Sequence, residues 1–146
     1  MAEEPVSYHR SFPLTRAQIE QLSSARTYRQ ALQYVKSAHM TDRLRAGASL
    51  SARFHGSRGI YGAQIDLAGR ELKFGCTCPL ANSRDACKHV IALGMAWLDE
   101  PDGFTDLDLT LARLTYLPKS ELITLIRQAA SRLPEMIPLL DRRRST

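Results

Sequence analysis

The three cysteines of this 146-residue chain lie in one short segment, and a histidine follows the last of them. Cys76 and Cys78 are separated by one residue, Cys87 and His89 are also separated by one, and eight residues lie between the pairs. Structural zinc sites hold the ion in a tetrahedron of four Cys or His ligands. We therefore expect the chain to fold so that the two pairs meet around one zinc ion.

Three cysteines and one histidine would complete the coordination sphere and leave no open position for a substrate or an activated water. The predicted site is therefore structural. Apolar spacing predicts a helix over 85–98, with Asp85 as its N-cap. Cys87 and His89 would then lie in its first turn, where the helix dipole favours a thiolate over a thiol.

Two other interpretations of the cysteines remain open. Cys76 and Cys87 could be ordinary buried thiols, with His89 an ordinary helix residue. Cys76 and Cys78 could instead form a redox pair, although that ring would be strained and His89 would have no role. A secreted disulfide scaffold would spread an even number of cysteines along the chain, and this chain has an odd number in one cluster.

Apolar and polar side chains alternate in three segments: 48–54, 60–67 and 71–75. Glycine-containing turns separate these segments, so they are expected to form an antiparallel meander of three strands. Continuing the alternation past the third segment places Cys76 on the same face as Leu72 and Phe74. The first cysteine pair would thus leave the sheet at the end of its last strand.

Helical periodicity precedes and follows these strands. Thr15 with Gln18 fits a capping box at the start of one helix, and a second helix is expected from about Thr27 to Met40. Thr105 and Pro118 are expected to begin helices near the C-terminus. The predicted fold class is α+β: N-terminal helices, a small three-stranded antiparallel sheet with a zinc knuckle leading into a helix, and a C-terminal helical region.

Helix-breaking residues at 99–103 predict a domain linker there. The predicted domain organisation has four parts: a flexible lead-in at 1–13, a zinc-binding domain at 14–100, a helical region at 104–141 and a basic tail at 142–146.

Basic residues outnumber acidic ones, 20 to 15, giving a net charge of +5. Residues 1–90 carry 13 Lys/Arg and 7 Asp/Glu, whereas residues 91–146 carry 7 and 8. The basic excess lies in the half with the cysteines and favours an anionic partner such as nucleic acid; a well-solvated surface is the alternative. The side chains expected to contact phosphates on one basic face are Arg53, Arg58, Arg70, Lys73, Arg84 and Lys88.

Several segments together resemble the SWIM zinc-finger family: Phe54-His-Gly-Ser57, Tyr61, Cys76-Thr-Cys78-Pro79, Cys87-Lys-His89-Val90-Ile91-Ala92-Leu93 and Gly94-Met-Ala-Trp97-Leu98. The resemblance covers about residues 14–98, and extends more loosely over 117–140, where stand-alone bacterial SWIM proteins carry a helical tail. It implies a strand–zinc–helix core and a role in binding DNA or protein. The family's breadth means that the partner transfers less well than the fold.

The sequence lacks the motifs that would indicate catalysis, namely G-x-S-x-G, a Walker motif, H-E-x-x-H and G-x-G-x-x-G. We therefore expect a protein that is not an enzyme and takes no small-molecule substrate. The first ten residues lack the apolar core of a signal peptide, and no apolar stretch is long enough to span a membrane. A cytoplasmic location without membrane contact is the resulting expectation.

A protein-interaction adaptor is the alternative to nucleic-acid binding. The C-terminal region is rich in leucine at helical spacing and could contact a protein partner, although such side chains more often cover a core. The residues concerned are Leu107, Leu111, Leu114, Leu122, Leu125 and Ile126.

Overall fold

The computed structural model describes residues 12–35, 39–69, 71–81 and 84–141. The helices and strands follow in chain order as α1 (Arg16–Glu20), α2 (Ala25–Val35), β1 (Met40–Ala46), β2 (Ser49–Gly56), β3 (Gly59–Asp66), β4 (Lys73–Cys76), α3 (Lys88–Asp99), β5 (Thr105–Asp106), α4 (Leu107–Leu114), α5 (Lys119–Arg132) and α6 (Ile137–Leu140). The predicted lead-in before residue 12, Arg70 and the predicted basic tail at 142–146 lie outside the described residues.

The sheet has five strands in the order β4-β3-β2-β1-β5, so the prediction of three strands is wrong. β2, β3 and β4 form the predicted antiparallel meander. β1 adds an antiparallel neighbour to β2, where we expected the end of a helix. β5 pairs parallel to β1 through Leu44 with Thr105 and Arg45 with Asp106.

The two unpredicted strands lack the pattern by which strands are recognised. In β1 the pairing with β2 shifts between Thr41 and Leu44, and Asp42 has a φ of 53°, in the left-handed region. This β-bulge interrupts the two-residue alternation of side chains. β5 has only two residues, and Thr105 resembles a helix cap in the sequence. The mixed helix-and-sheet class is confirmed, with a larger sheet than predicted.

Helix α3 forms the centre of the hydrophobic core. Every residue from His89 to Trp97 is buried, because α1 and α2 contact this helix while β2 and β3 cover it with their inward side chains. A helix that is apolar on all sides requires such enclosure. Gly94 allows α1 to approach closely, since a Cβ atom at this position would lie 2.8 Å from Cδ1 of Ile19.

Short-range signals located some helix ends accurately. The Thr15 hydroxyl accepts a hydrogen bond from the Gln18 backbone N–H, and the Gln18 side chain accepts one from the Thr15 N–H. This is the predicted capping box at the start of α1. Helix α3 begins at Lys88 with Cys87 as its N-cap, so the prediction that Asp85 caps it is wrong.

The chain divides into two compact units, Met1–Asp108 and Leu109–Thr146. The first unit therefore includes β5 and extends beyond the linker predicted at 99–103. In the second unit, no side chain between residues 109 and 141 is buried. Throughout the described part of the chain, none of the helices combines the length and the apolar character of a membrane span.

Candidate metal centre

Cys76, Cys78, Cys87 and His89 lie together in the first unit and are called the Cys3His cluster below. Their candidate ligand atoms all lie within 4.8 Å of one another. Nδ1 of His89 is 3.7 Å from Sγ of Cys76 and 3.9 Å from Sγ of Cys87. The three cysteines are not joined in disulfides. The cluster could hold one metal ion, with Nδ1 as the histidine ligand.

The spacing of these atoms fits a tetrahedral zinc site. Bond lengths of about 2.3 Å for Zn–S and about 2.05 Å for Zn–N imply S···N edges of about 3.6 Å in a regular tetrahedron. The two S···N distances are close to that value. A thiolate-rich donor set also favours zinc over magnesium or calcium, which prefer oxygen ligands.

The sheet positions the first ligand pair. Cys76 ends β4 and is paired with Ala63 of β3. One residue further on, the Thr77 backbone N–H donates to the Gly62 carbonyl at 3.0 Å, and the Gly62 N–H donates to the Thr77 hydroxyl at 2.9 Å. These bonds hold the C-x-C segment against β3, so that Cys78 can turn back toward the cluster.

The second pair is positioned by the start of α3. Cys87 has an extended backbone, with φ −72° and ψ 168°, and its carbonyl accepts from the Ile91 N–H at 3.2 Å. Just before it, the Ala86 N–H donates to the Leu22 carbonyl at 3.0 Å, which ties this segment to the end of α1. His89 therefore enters the core on the first turn of a helix that is fixed at its beginning.

Three aromatic rings surround the imidazole of His89, which is 3% exposed. Its centroid lies 4.9 Å from that of Phe54, 5.4 Å from that of Tyr34 and 5.6 Å from that of Tyr61. Such packing restricts rotation of the ring and keeps Nδ1 directed at the sulfur atoms. This role of the aromatic rings was not predicted from the sequence, in which the inward positions of Phe54 and Tyr61 on their strands were the available signal.

A hydrogen bond links the side chains of Cys76 and Cys87. The hydrogen bond from Cys76 lowers the pKa of Cys87 to about 3, against the opposing effect of burial, and His89 contributes in the same direction. The same hydrogen bond and then burial raise the pKa of Cys76. The opposite directions mean that Cys87 releases its proton more readily than Cys76 does, and a thiolate at Cys87 favours a cation at this position.

The basic residues predicted to share one face lie in two places. Arg53 and Lys73 are exposed at outward positions of β2 and β4, on the side of the sheet opposite α3. Arg58 and Lys88 line a cleft on the metal side. Arg84 is exposed in the loop between the ligand pairs, and Arg70 lies outside the described residues.

When charged residues are counted by compact unit, the basic excess no longer falls in the part with the cysteines. Residues 1–108 contain 13 Lys/Arg and 12 Asp/Glu, whereas residues 109–146 contain 7 and 3. The unit with the Cys3His cluster is therefore close to neutral, because the acidic residues at 99–108 belong to it. An anion would have to be recognised there by local placement of cations rather than by net charge.

No family model, curated protein or solved structure matches the chain. The resemblance to SWIM domains therefore rests on the C-x-C and C-x-H pairs and the segments around them.

Proposed function

We propose that this chain is a SWIM-type module in which the Cys3His cluster binds one structural zinc ion, and that the module binds nucleic acid without catalysing a reaction. The observation that carries the proposal is the closed cluster at the start of α3, with two cations in the cleft beside it. Four protein ligands leave no position at which zinc could activate a substrate or water. Zinc would instead connect the end of the sheet to the central helix.

The position of the cluster makes zinc important for folding. It joins β4 to α3, and α3 contacts α1, α2 and three strands. Structural zinc contributes apparent binding free energies of about 10 kcal/mol or more. Losing it would release the start of the helix on which the whole core is built.

Phosphate contact by surface cations supports the nucleic-acid part of the proposal. Arg58 is exposed in the β2–β3 turn, and Lys88 holds its ammonium 5.1 Å from the centroid of the Tyr34 ring. Lys and Arg side chains supply the salt-dependent share of nucleic-acid affinity. We expect labelled DNA to bind the zinc-loaded chain, with an affinity that falls steeply as salt rises in a fluorescence-anisotropy titration. Flat titrations at low salt with single- and double-stranded DNA would contradict this function.

A specific observation favours protein interaction as the second candidate. Large apolar side chains in the second unit are exposed, including Leu111, Leu125 and Ile126 of the predicted interaction region. An exposed apolar surface on a small helical unit is typical of an interaction site. We expect a protein partner that binds the full chain to fail to bind the Ile126→Glu variant. The same partner should still bind the matched surface variant Thr124→Glu. Equal retention by both variants would contradict the adaptor role.

A further inference from the structure

A cleft beside the Cys3His cluster has features of a binding site. It has a volume of about 540 Å³ and lies between α2, the β2–β3 turn and residues 78–80 and 85–89. This volume is in the range of about 300–1,000 Å³ that is usual for ligand pockets. Every lining residue that the structure describes belongs to the first unit, and three of them, Cys78, Cys87 and His89, are members of the cluster.

The α2 wall of this cleft presents a regular row of side chains. Thr27, Gln30 and Tyr34 are spaced by three and four residues and therefore share one face of the helix. Thr27 and Gln30 supply hydrogen-bonding groups. Tyr61 of β3 and the 77%-exposed Leu80 also line the cleft and supply apolar surface. The cleft thus combines polar groups with surface against which a flat ring can pack.

A second depression adjoins the cleft. It is lined by Gln33, His39 and His55, and it shares Tyr34, Gly56 and Ser57 with the first. The two together form a groove that follows α2 past the β2–β3 turn. An elongated groove suits a chain-like ligand better than a compact one.

The charged residues of the cleft favour an anion. Arg58 lies in the β2–β3 turn, and Lys88, at the start of α3, holds its ammonium 5.1 Å from the centroid of the Tyr34 ring. In the described part of the wall, Asp85 is the single acidic residue. Two cations on separate elements can contact successive anionic groups of one ligand, as phosphates along a nucleic-acid strand require.

We propose that this groove binds a single strand of nucleic acid, with Arg58 and Lys88 on its phosphates and a base packed against Tyr61 and Leu80. The inference rests on the proposed nucleic-acid function; it adds that the ligand is single-stranded and that it binds in this groove. A flexible single strand can follow a narrow groove and expose its bases to it. A stiff duplex keeps its bases stacked inside and cannot enter a cleft of this volume. Arg53 and Lys73, on the other side of the sheet, take no part.

The test is a comparison of two arginine reversals in the full, zinc-loaded chain. The probe is a fluorescein-labelled oligothymidylate of about 15 nucleotides, near the upper site size of single-strand binding folds. Arg58→Glu should raise the Kd by about ten-fold or more, because it replaces a phosphate contact with repulsion. Arg53→Glu changes the net charge by the same amount and should raise the Kd less than about two-fold. Zinc content and melting temperature confirm that both variants are folded.

A milder variant provides a second readout that does not depend on charge reversal. Arg58→Ala should reduce the slope of log Kd against log salt by about 0.7, the value for one phosphate contact to a single strand. Arg53→Ala should leave that slope unchanged.

The other outcomes distinguish the groove from the general function. If a duplex of the same length binds as tightly as the single strand, or if Arg53→Glu weakens binding as much as Arg58→Glu, the groove is not the site, although nucleic-acid binding stands. Displacement of the oligonucleotide by polyglutamate at equal charge concentration would identify an acidic-peptide site and overturn the proposal. Failure of both nucleic acids to bind the unaltered chain would overturn the proposed function itself.

Discussion

Nη1 of Arg45 lies 3.5 Å from Oδ2 of Asp106, and the two side chains are 10% and 5% exposed. This buried ion pair joins β1 to the two-residue strand β5. Nε of Arg45 also donates to the Gly47 carbonyl at 3.3 Å, and its guanidinium lies 5.9 Å from the centroid of the Trp97 ring. A charge in this position depends on its partner, because water does not solvate it.

Asp106→Ala should therefore destabilise the protein strongly. It leaves the buried Arg45 guanidinium without its carboxylate, and breaking a buried pair in this way costs about 3–5 kcal/mol. We expect urea unfolding to show a loss of about 3 kcal/mol in the free energy of unfolding. Asp102→Ala, at an exposed position nearby, should change it by less than about 0.5 kcal/mol. Similar losses in both variants would show that the pair contributes no more than a surface charge.

Strand β5 determines how far the chain can be shortened from its C-terminus without destabilising the first unit. A chain ending after Asp108 retains Asp106 and also Phe104, whose buried ring lies 5.2 Å from that of Trp97. A chain ending after Gly103 loses both. We expect the longer fragment to fold cooperatively and retain zinc, and the shorter one to melt at lower temperature or aggregate. Circular dichroism melts and zinc analysis of both fragments measure this. Equal melting temperatures would mean that β5 is dispensable.

The contrast between β2 and β1 shows how far periodicity predicts this fold. Leu50, Ala52 and Phe54 alternate with polar residues and are all buried, so β2 could be recognised from the sequence alone. In β1 the bulge at Asp42 moves later side chains out of alternation. Pairing with β2 stabilises this strand, and such tertiary contacts leave no local signal in the sequence.

The candidate site divides in the same way. The four members of the Cys3His cluster could be identified because two closely spaced pairs of Cys and His ligands are typical of a zinc site. The aromatic residues around His89 come from α2, β2 and β3, and only tertiary packing brings them together. The alternation in β2 is enough to predict that Arg53 points outward. It does not say on which side of the sheet the turn residue Arg58 lies, so the sequence could not show that the two arginines are on different faces.

Zinc binding and stability should fall together when a cluster ligand is removed. His89→Gln removes the Nδ1 ligand and leaves an amide among three aromatic rings, so we expect loss of stoichiometric zinc and a lower melting temperature. His55→Gln is the matched control, because His55 is exposed and contacts the Thr41 hydroxyl at 2.7 Å, outside the cluster. Metal analysis and differential scanning fluorimetry compare the two. A His89→Gln variant with full zinc content would show that the site is assigned wrongly.

Cys87→Ser tests the same site from the sulfur side. Serine removes a thiolate whose pKa is lowered to about 3 by the hydrogen bond from Cys76, and a hydroxyl is a poor zinc ligand. We expect zinc content and melting temperature to fall together, as for His89→Gln. Normal melting without zinc would contradict a structural role for the metal.

The affinity for zinc should rise with pH. In the metal-free protein, the raised pKa of Cys76 keeps a proton on the thiol pair at neutral pH, and zinc must displace it. Because Cys87 has a lowered pKa, the stability that its thiolate contributes is present above the ordinary thiol pKa and is lost as the pH falls toward about 3. Below the ordinary thiol pKa of about 8.5, the zinc affinity and the stability contributed by the Cys87 thiolate both fall as the pH falls. Acid therefore weakens the site. Chelator competition should show the affinity rising at least about ten-fold per pH unit between about pH 6 and about pH 8, as expected for one displaced proton. An affinity that did not change over this range would show that zinc displaces no proton from the thiol pair and would contradict the raised pKa of Cys76.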